Sequence, residues 1–252
     1  MSGSNRNRVD TSALYVIIAA FLVILLLLFG TSIFLKVMRI EVTGASIYTE
    51  EEIITASGIS SKNNLLFMRT GAASERISSA MPFISEVKIT RSLPDTILIT
   101  VKESSALAAV ACQDGALIID SSCRVLQYMD AAPPDLIEVR GFTPVDPVPG
   151  RVMKVELGGE TRLRYLTDVL AAIEKSDVRA DVTYLDVANI TNITVGYTGR
   201  FRVILGGPNN ALYKLNQLPQ VIGKINKDNP YDGNRFIDMS DSTGEWRSAP
   251  DL

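Results

Sequence analysis

The stretch MPFISEVKITRSLPDTILITVKE, residues 81–103, decides the fold. Pro82 ends whatever helix precedes it, because a proline disfavours helical backbone in the residue before it. Val87 and Ile89 then alternate with Glu86, Lys88 and Thr90, and Ile97, Ile99 and Val101 alternate with Leu98, Thr100 and Lys102. A period of two is that of a half-buried strand, and Ser92-Leu93-Pro94-Asp95 between the runs has turn chemistry. The stretch therefore predicts a hairpin. Upstream, a helix is expected over Ala72–Ala80 and another beginning at Thr49. Thr49 and Glu52 have the spacing of a capping box, Tyr48 can staple onto Ile53, and Gly58 supplies a left-handed stop. Met38, Ile40 and Val42 alternate with Arg39 and Glu41 as a first strand closed by Gly44.

Before that strand, Ala13 to Leu35 is uncharged and rich in Leu, Ile, Val and Phe. As a helix its 23 residues slightly exceed the roughly 30 Å hydrocarbon core of a bilayer, so it reads as a transmembrane helix. A cleavable signal peptide has an apolar region of only ~7 to 15 residues, and the span is expected to be retained. Arg6 and Arg8 before it are balanced by Lys36 and Arg39 after it, which ties the charge rule for orientation.

Strand, helix, helix, strand, strand, compressed into Met38–Glu103 directly behind such a helix, resembles a POTRA domain, the polypeptide-transport-associated module. Pro82, Val87, Arg91, Pro94, Asp95, Thr96, Ile97, Ile99, Val101 and Glu103 resemble the corresponding run of the bacterial cell-division family FtsQ/DivIB. That run is a proline, an alternating strand, Arg-x-x-Pro-x-Thr, and an alternating strand ending in Glu. The family usually continues with a basic residue, proline and alanine; here Ser104 and Ser105 take the first two places and only Ala106 fits. The competing reading is that any such unit with a Pro-Asp turn shares this alternation, since these residues serve core and turn. The resemblance implies a cytoplasmic tail at 1–12, the span at 13–35, a POTRA domain at 37–104, a β domain at 105–240 and a loose tail at 241–252. It also places the N-terminus in the cytoplasm and the folded domains outside.

Downstream of the hairpin, Ala106–Cys112, Ala116–Ile119 and Cys123–Leu126 read as a meander broken at Gln113-Asp114-Gly115 and at Asp120-Ser121-Ser122. Pro133, Pro134, Pro144, Pro147 and Pro149 bracket a short strand at Leu136–Val139. Leu163, Leu166, Val169, Leu170 and Ile173 recur at helical spacing within Glu160–Lys175, with Glu160 and Arg164 able to pair on the wet face. Strands are expected at Thr183–Val187, Ile193–Tyr197, Phe201–Leu205 and Arg235–Met239, and a helix at Asn210–Asn226 that Pro219 should kink. The fold class is thus α+β: a transmembrane helix, a βααββ POTRA domain, and a mixed, strand-rich β domain flanked by two helices.

Composition narrows the chemistry. There is no histidine, which excludes mechanisms that need an imidazole base or ligand. A net charge of -3 without a compact Lys/Arg cluster argues against a nucleic-acid partner. Cys112 and Cys123 lack zinc-site spacing. Pairing each across its own turn sets them about four residues apart along the shared strand, roughly 13 Å, which argues against a disulfide. Glu50, Glu51 and Glu52 are accounted for by the dipole at a helix start. Gly206-Gly207-Pro208-Asn209-Asn210 lacks the Walker lysine and reads as a turn capped by Asn210. Asn189 and Asn192 match glycosylation acceptors only by a short motif.

No cofactor, metal or catalytic group is expected. The resemblance implies a non-enzymatic division scaffold that recruits or stabilises other division proteins at the septum. Its expected partners are the coiled-coil membrane proteins FtsB/DivIC and FtsL, with the lipid bilayer meeting residues 13–35. The terminal strand, expected at a sheet edge open to strand addition, carries the candidate residues Arg235, Phe236, Ile237, Asp238 and Met239, with Tyr231 and Tyr213 nearby; Trp246 is a further candidate anchor. A POTRA-bearing export or assembly factor that binds exported polypeptides is the alternative, although the chain lacks the serial strands of a transmembrane barrel. An extracytoplasmic enzyme or ligand sensor would need convergent polar groups in a pocket, which the sequence does not announce.

Overall fold

The computed structural model describes residues 11–113, 115–228, 233–241 and 246–250, with side chains described at 14–26 and from Leu35 onward except Asp228. The chain divides into two compact units, one built on residues up to Ile77 with Glu86–Lys102, the other on Ser78–Ser85 and Glu103 onward.

The first unit begins with helix α1, Thr11–Phe34. Tyr15, Phe21 and Leu26 on it are 73%, 60% and 75% exposed, and the described part is apolar on every side. Among the described residues no helix is long and apolar enough to cross a membrane, and part of the span expected at 13–35 lies outside the described side chains. Next come β1 (Arg39–Thr43), α2 (Glu50–Ser57), α3 (Thr70–Ala80), β2 (Ile84–Ser92) and β3 (Thr96–Glu103). They form a sheet in the order β1-β3-β2, with β1 parallel to β3 and Ile40 opposite Ile97.

Local chemistry explains these boundaries. The Thr49 side chain accepts from the Glu52 amide, Glu52 accepts from the Thr49 amide at 2.8 Å, and Gly58 closes α2 at φ 65. Val42, Ile53, Leu65, Ala73, Ile77, Ile97 and Ile99 are buried. Met38 is not: it is 72% exposed, and Val37 is buried in its stead. The chain changes partner at this point. The Val37 amide bonds to Asn63 O, whereas the Met38 amide bonds to Asp95 O, so the simple alternation read from the sequence starts one residue late.

The second unit is built on a mixed nine-stranded sheet in the order β12-β11-β10-β9-β8-β7-β4-β5-β6. Its strands are β4 (Ala108–Cys112), β5 (Gly115–Ile119), β6 (Val125–Met129), β7 (Ile137–Arg140), β8 (Val182–Asp186), β9 (Ile193–Tyr197), β10 (Phe201–Gly206), β11 (Arg235–Asp238) and β12 (Arg247–Pro250). Helices α4 (Glu160–Lys175) and α5 (Ala211–Asp228) share one core cluster with Val110, Leu117, Val139, Leu185, Val195, Val203 and Ile237 of the sheet. Among the described residues most of the opposite face has no covering layer, except where Ala106 and Leu136 pack on Ala109, Ala116 and Ile118.

The tail and the wet face of α4 depart from expectation. The tail expected to be loose from 241 contains β12, paired antiparallel with β11 from Arg247 opposite Asp238 to Pro250 opposite Arg235. Helix α5 runs without interruption through Pro219, which is exposed. Cys112 pairs with Gly115 across its turn and both cysteines are free thiols, as the spacing along the central strand requires. Arg164 lies 5.4 Å over the Tyr165 ring, and among the described residues it makes no ion pair with Glu160.

Candidate interaction surface on the terminal strands

Strands β10, β11 and β12 bring the terminal candidates together, and their alternation sorts them. Arg235 is 3% exposed, Ile237 0% and Met239 4%, all turned to the helix-covered side. The Arg235 guanidinium donates to Ser248 Oγ at 3.4 Å. Phe236 and Asp238 are half-buried on the other, open side. Side-chain recognition at this strand is therefore open to Phe236 and Asp238, while Arg235, Ile237 and Met239 hold the strand on its core. The sequence run did not reveal this division because Arg235 is a charged residue in an inward position.

β11 is not the sheet edge, since β12 covers it. The Arg235 amide bonds to Arg200 O and the Met239 amide to Ile204 O, so the odd residues of β11 turn their backbone groups to β10. Phe236 and Asp238 consequently face Ala249 and Arg247, and the Ser248 amide is left on the outer side of β12. A short edge strand with Pro250 at its end is the usual way to limit indiscriminate pairing.

The open face carries an ordered row. Glu138, Tyr184, Gly196, Arg202, Phe236 and Ala249 occupy successive register positions on six adjacent strands. The Arg140 guanidinium stands 4.1 Å from the centroid of the Tyr184 ring and 2.6 Å from Glu138, and the Arg202 guanidinium stands 5.9 Å from the Phe236 ring. The hydrogen bond from Arg140 holds the Glu138 carboxyl below its ordinary pKa. Arg and aromatic side chains that are rigid and partly dry are the usual anchors of protein interfaces. Sequence reasoning missed Arg140, Tyr184 and Arg202, which lie on three strands separated by helices and loops; the only signal in the chain was a polar or aromatic residue at every second place.

Tyr213, 60% exposed, lies on the other side, where it lines a cleft of about 140 Å³ with Lys214, Gln217, Lys224, Met239 and Trp246. Lys214 is buried and donates to Leu205 O at 2.7 Å, and its burial pushes its pKa down. Trp246 packs partly buried against the core instead of lying in a loose tail. Tyr231 lies outside the described residues. Among the described residues no three His, Cys, Asp or Glu side chains are grouped to hold a metal ion.

A βααββ unit followed by an independent mixed sheet with two helices on one face defines a POTRA-bearing, two-unit protein. Residues 35–104 match the model of the POTRA domain, FtsQ-type. The chain is 28% identical over 185 residues to the cell division protein DivIB of Clostridium tetani, covering 73% of this chain and 68% of that one. It is 26% identical over 206 residues to the cell division protein FtsQ of Streptomyces bingchenggensis, covering 82% and 75%. The DivIB of Clostridium acetobutylicum is 26% identical over 190 residues, covering 75% and 74%. The chain is thus similar to DivIB and FtsQ proteins over most of its length, and its residues 35–104 are a POTRA domain of the FtsQ type.

Proposed function

We propose that this protein is a membrane-anchored scaffold of the cell-division machinery, without catalytic activity, whose sheet recruits or stabilises other division proteins at the septum. The similarity to DivIB and FtsQ proteins supports a division role. Support for the anchor is the uncharged stretch 13–35 and an α1 whose described side chains are apolar and exposed all round. In this reading the N-terminus is cytoplasmic, the two folded units lie outside, and the partners are coiled-coil membrane proteins like FtsB/DivIC and FtsL.

The observation that carries the docking site is the outer edge of β12, which offers the Ser248 amide and the neighbouring carbonyls to an added strand. Phe236 and Asp238 on the adjoining open face supply side-chain selectivity, and Tyr213 and Trp246 border the same strands on the helix side. A photo-crosslinking residue at Ala249 and another at Phe236, in growing cells, test this. Capture of a small single-pass coiled-coil protein from both positions is expected. Capture of unfolded exported polypeptides instead would replace the scaffold with the export-factor reading.

A further inference from the structure

The end of the POTRA sheet nearest α1 collects residues that are far apart in sequence. The Leu65 amide bonds to Leu35 O at 2.7 Å, and Lys36 bridges to Asn64, so the 63–68 loop is tied to the first residues after α1. That loop buries Leu65 but turns Leu66 and Phe67 outward, at 46% and 69% exposure. Asn64 Oδ1 accepts the Leu66 amide at 2.9 Å and Asn64 O accepts the Met68 amide at 3.0 Å, which fixes the outward turn. Because β1 and β3 are parallel, the β2–β3 turn lies at the same end, with exposed Leu93; the Met38 amide bonds to Asp95 O there, and Met38 is exposed too.

Charge at this end is opposite in sign to the whole chain. Segments 35–39, 62–69 and 91–95 contain Lys36, Arg39, Lys62, Arg69 and Arg91 against the single anion Asp95, in a chain of net charge -3. Asp95 is engaged by Arg39 at 3.4 Å, and Arg91 donates to Met68 O at 2.7 Å beside the exposed loop. Exposed Phe and Leu within a ring of Lys and Arg is the composition that sits in a lipid interface, the apolar tips at the acyl boundary and the cations at anionic headgroups. Folding energy does not account for Leu66 and Phe67 standing in water at the exit of an apolar helix.

We propose that this end of the POTRA unit is a second membrane contact. Leu66 and Phe67 enter the headgroup layer of the bilayer that holds α1, and Lys36, Lys62, Arg69 and Arg91 bind its anionic headgroups. The inference rests on the reading of residues 13–35 as an anchor. It limits how freely the POTRA unit swings on its tether.

The test reconstitutes the full-length chain in vesicles and reads tryptophan quenching by lipids brominated near the headgroup end of the acyl chains, with the wild-type signal of Trp246 as baseline. Phe67→Trp is expected to be quenched several-fold more than the wild type, and more in vesicles containing phosphatidylglycerol than in phosphatidylcholine alone. Phe21→Trp, within α1, reports on the anchor separately, using lipids brominated along the chain. Quenching of Phe21→Trp with none beyond baseline for Phe67→Trp overturns the second contact and leaves the anchor standing. No quenching of either variant removes the anchor reading and this inference with it. Equal quenching in both lipid compositions overturns the headgroup contacts.

Discussion

The ring of Tyr184 lies across Gly196, its register partner on the neighbouring strand, so closely that a methyl group at Gly196 would collide with the ring. The Arg140 guanidinium stands over the same ring. The glycine is a seat for the aromatic ring on the open face of the sheet. Gly196→Ala is expected to destabilise the second unit by about 1–3 kcal/mol, as overpacking does. Combining it with Tyr184→Ala should recover part of that loss, because the clash with the ring has gone and only that with the Thr183 hydroxyl is left. Chemical denaturation of both variants and the double variant checks the sign of the coupling.

Thr49 and Glu52 satisfy each other's backbone amides at the start of α2, and the hydrogen bonds from Thr49 hold the Glu52 carboxyl below its ordinary pKa. Thr49→Ala should cost about 1 kcal/mol in the first unit. Hydrogen exchange of the α2 amides should quicken while those of β8 and β9 do not change. Equal acceleration in both units would contradict the assignment of α2 to a separate compact unit.

Cys123 is fully buried, with the Thr167 hydroxyl 3.2 Å from its sulfur, and burial pushes its thiol up to about 12. In the folded protein at pH 8 it should resist iodoacetamide, since the thiolate is the reactive form. Mass spectrometry of the alkylated chain should find Cys123 modified only after denaturation. Modification at the rate of a free thiol would mean that the β6 end of the sheet opens readily.

Burial, with the hydrogen bond of the Tyr197 hydroxyl to Asp181 at 3.1 Å, pushes the Tyr197 phenol from 10.0 up to about 12. Between those values the unfolded chain ionises this group while the folded one retains its proton, so stability falls as pH rises through that window. Tyr197→Phe should lower stability at neutral pH by about 1 kcal/mol through the lost hydrogen bond. It should also flatten the alkaline decline, which unfolding curves from pH 9 to 12 would show. An unchanged slope would mean that another group, Cys123 included, governs it.

The edge of β12 gives a backbone-specific variant. Ser248→Pro removes the outward amide without touching the bonds of Ala249 and Arg247 to β11, and proline is tolerated on edge strands. Partner pull-down from membranes should be lost with Ser248→Pro and retained with Ser248→Ala, while both variants keep the wild-type melting temperature within a few degrees. Loss with Ser248→Ala alone would point to the hydroxyl and its Arg235 neighbour instead of the strand edge.

Much of the fold was legible because its signals are local. Thr49, Glu52 and Gly58 write both ends of α2 within ten residues; Ile97, Ile99 and Val101 write a strand by alternation; Leu166, Val169, Leu170 and Ile173 write the buried side of α4, whose bounds of Glu160 and Lys175 match the sequence reading. Each depends on neighbours three or four residues away at most, which is the range over which backbone caps and side-chain periodicity act. The parallel pairing of β1 with β3 could not be read in the same way, since nothing in either strand names a partner more than fifty residues distant.

The candidate surface shows the same division. From the sequence came Phe236 and its strand, the turns around it and the exclusion of histidine chemistry, all properties of single segments. Only the tertiary structure decided that β12 covers β11, that Arg235, Ile237 and Met239 face inward, and that Tyr184, Gly196, Arg202 and Phe236 share one row. Register across strands is set by which faces can be buried together. That is a property of the whole sheet and its two covering helices, and it is not written in any one of the strands.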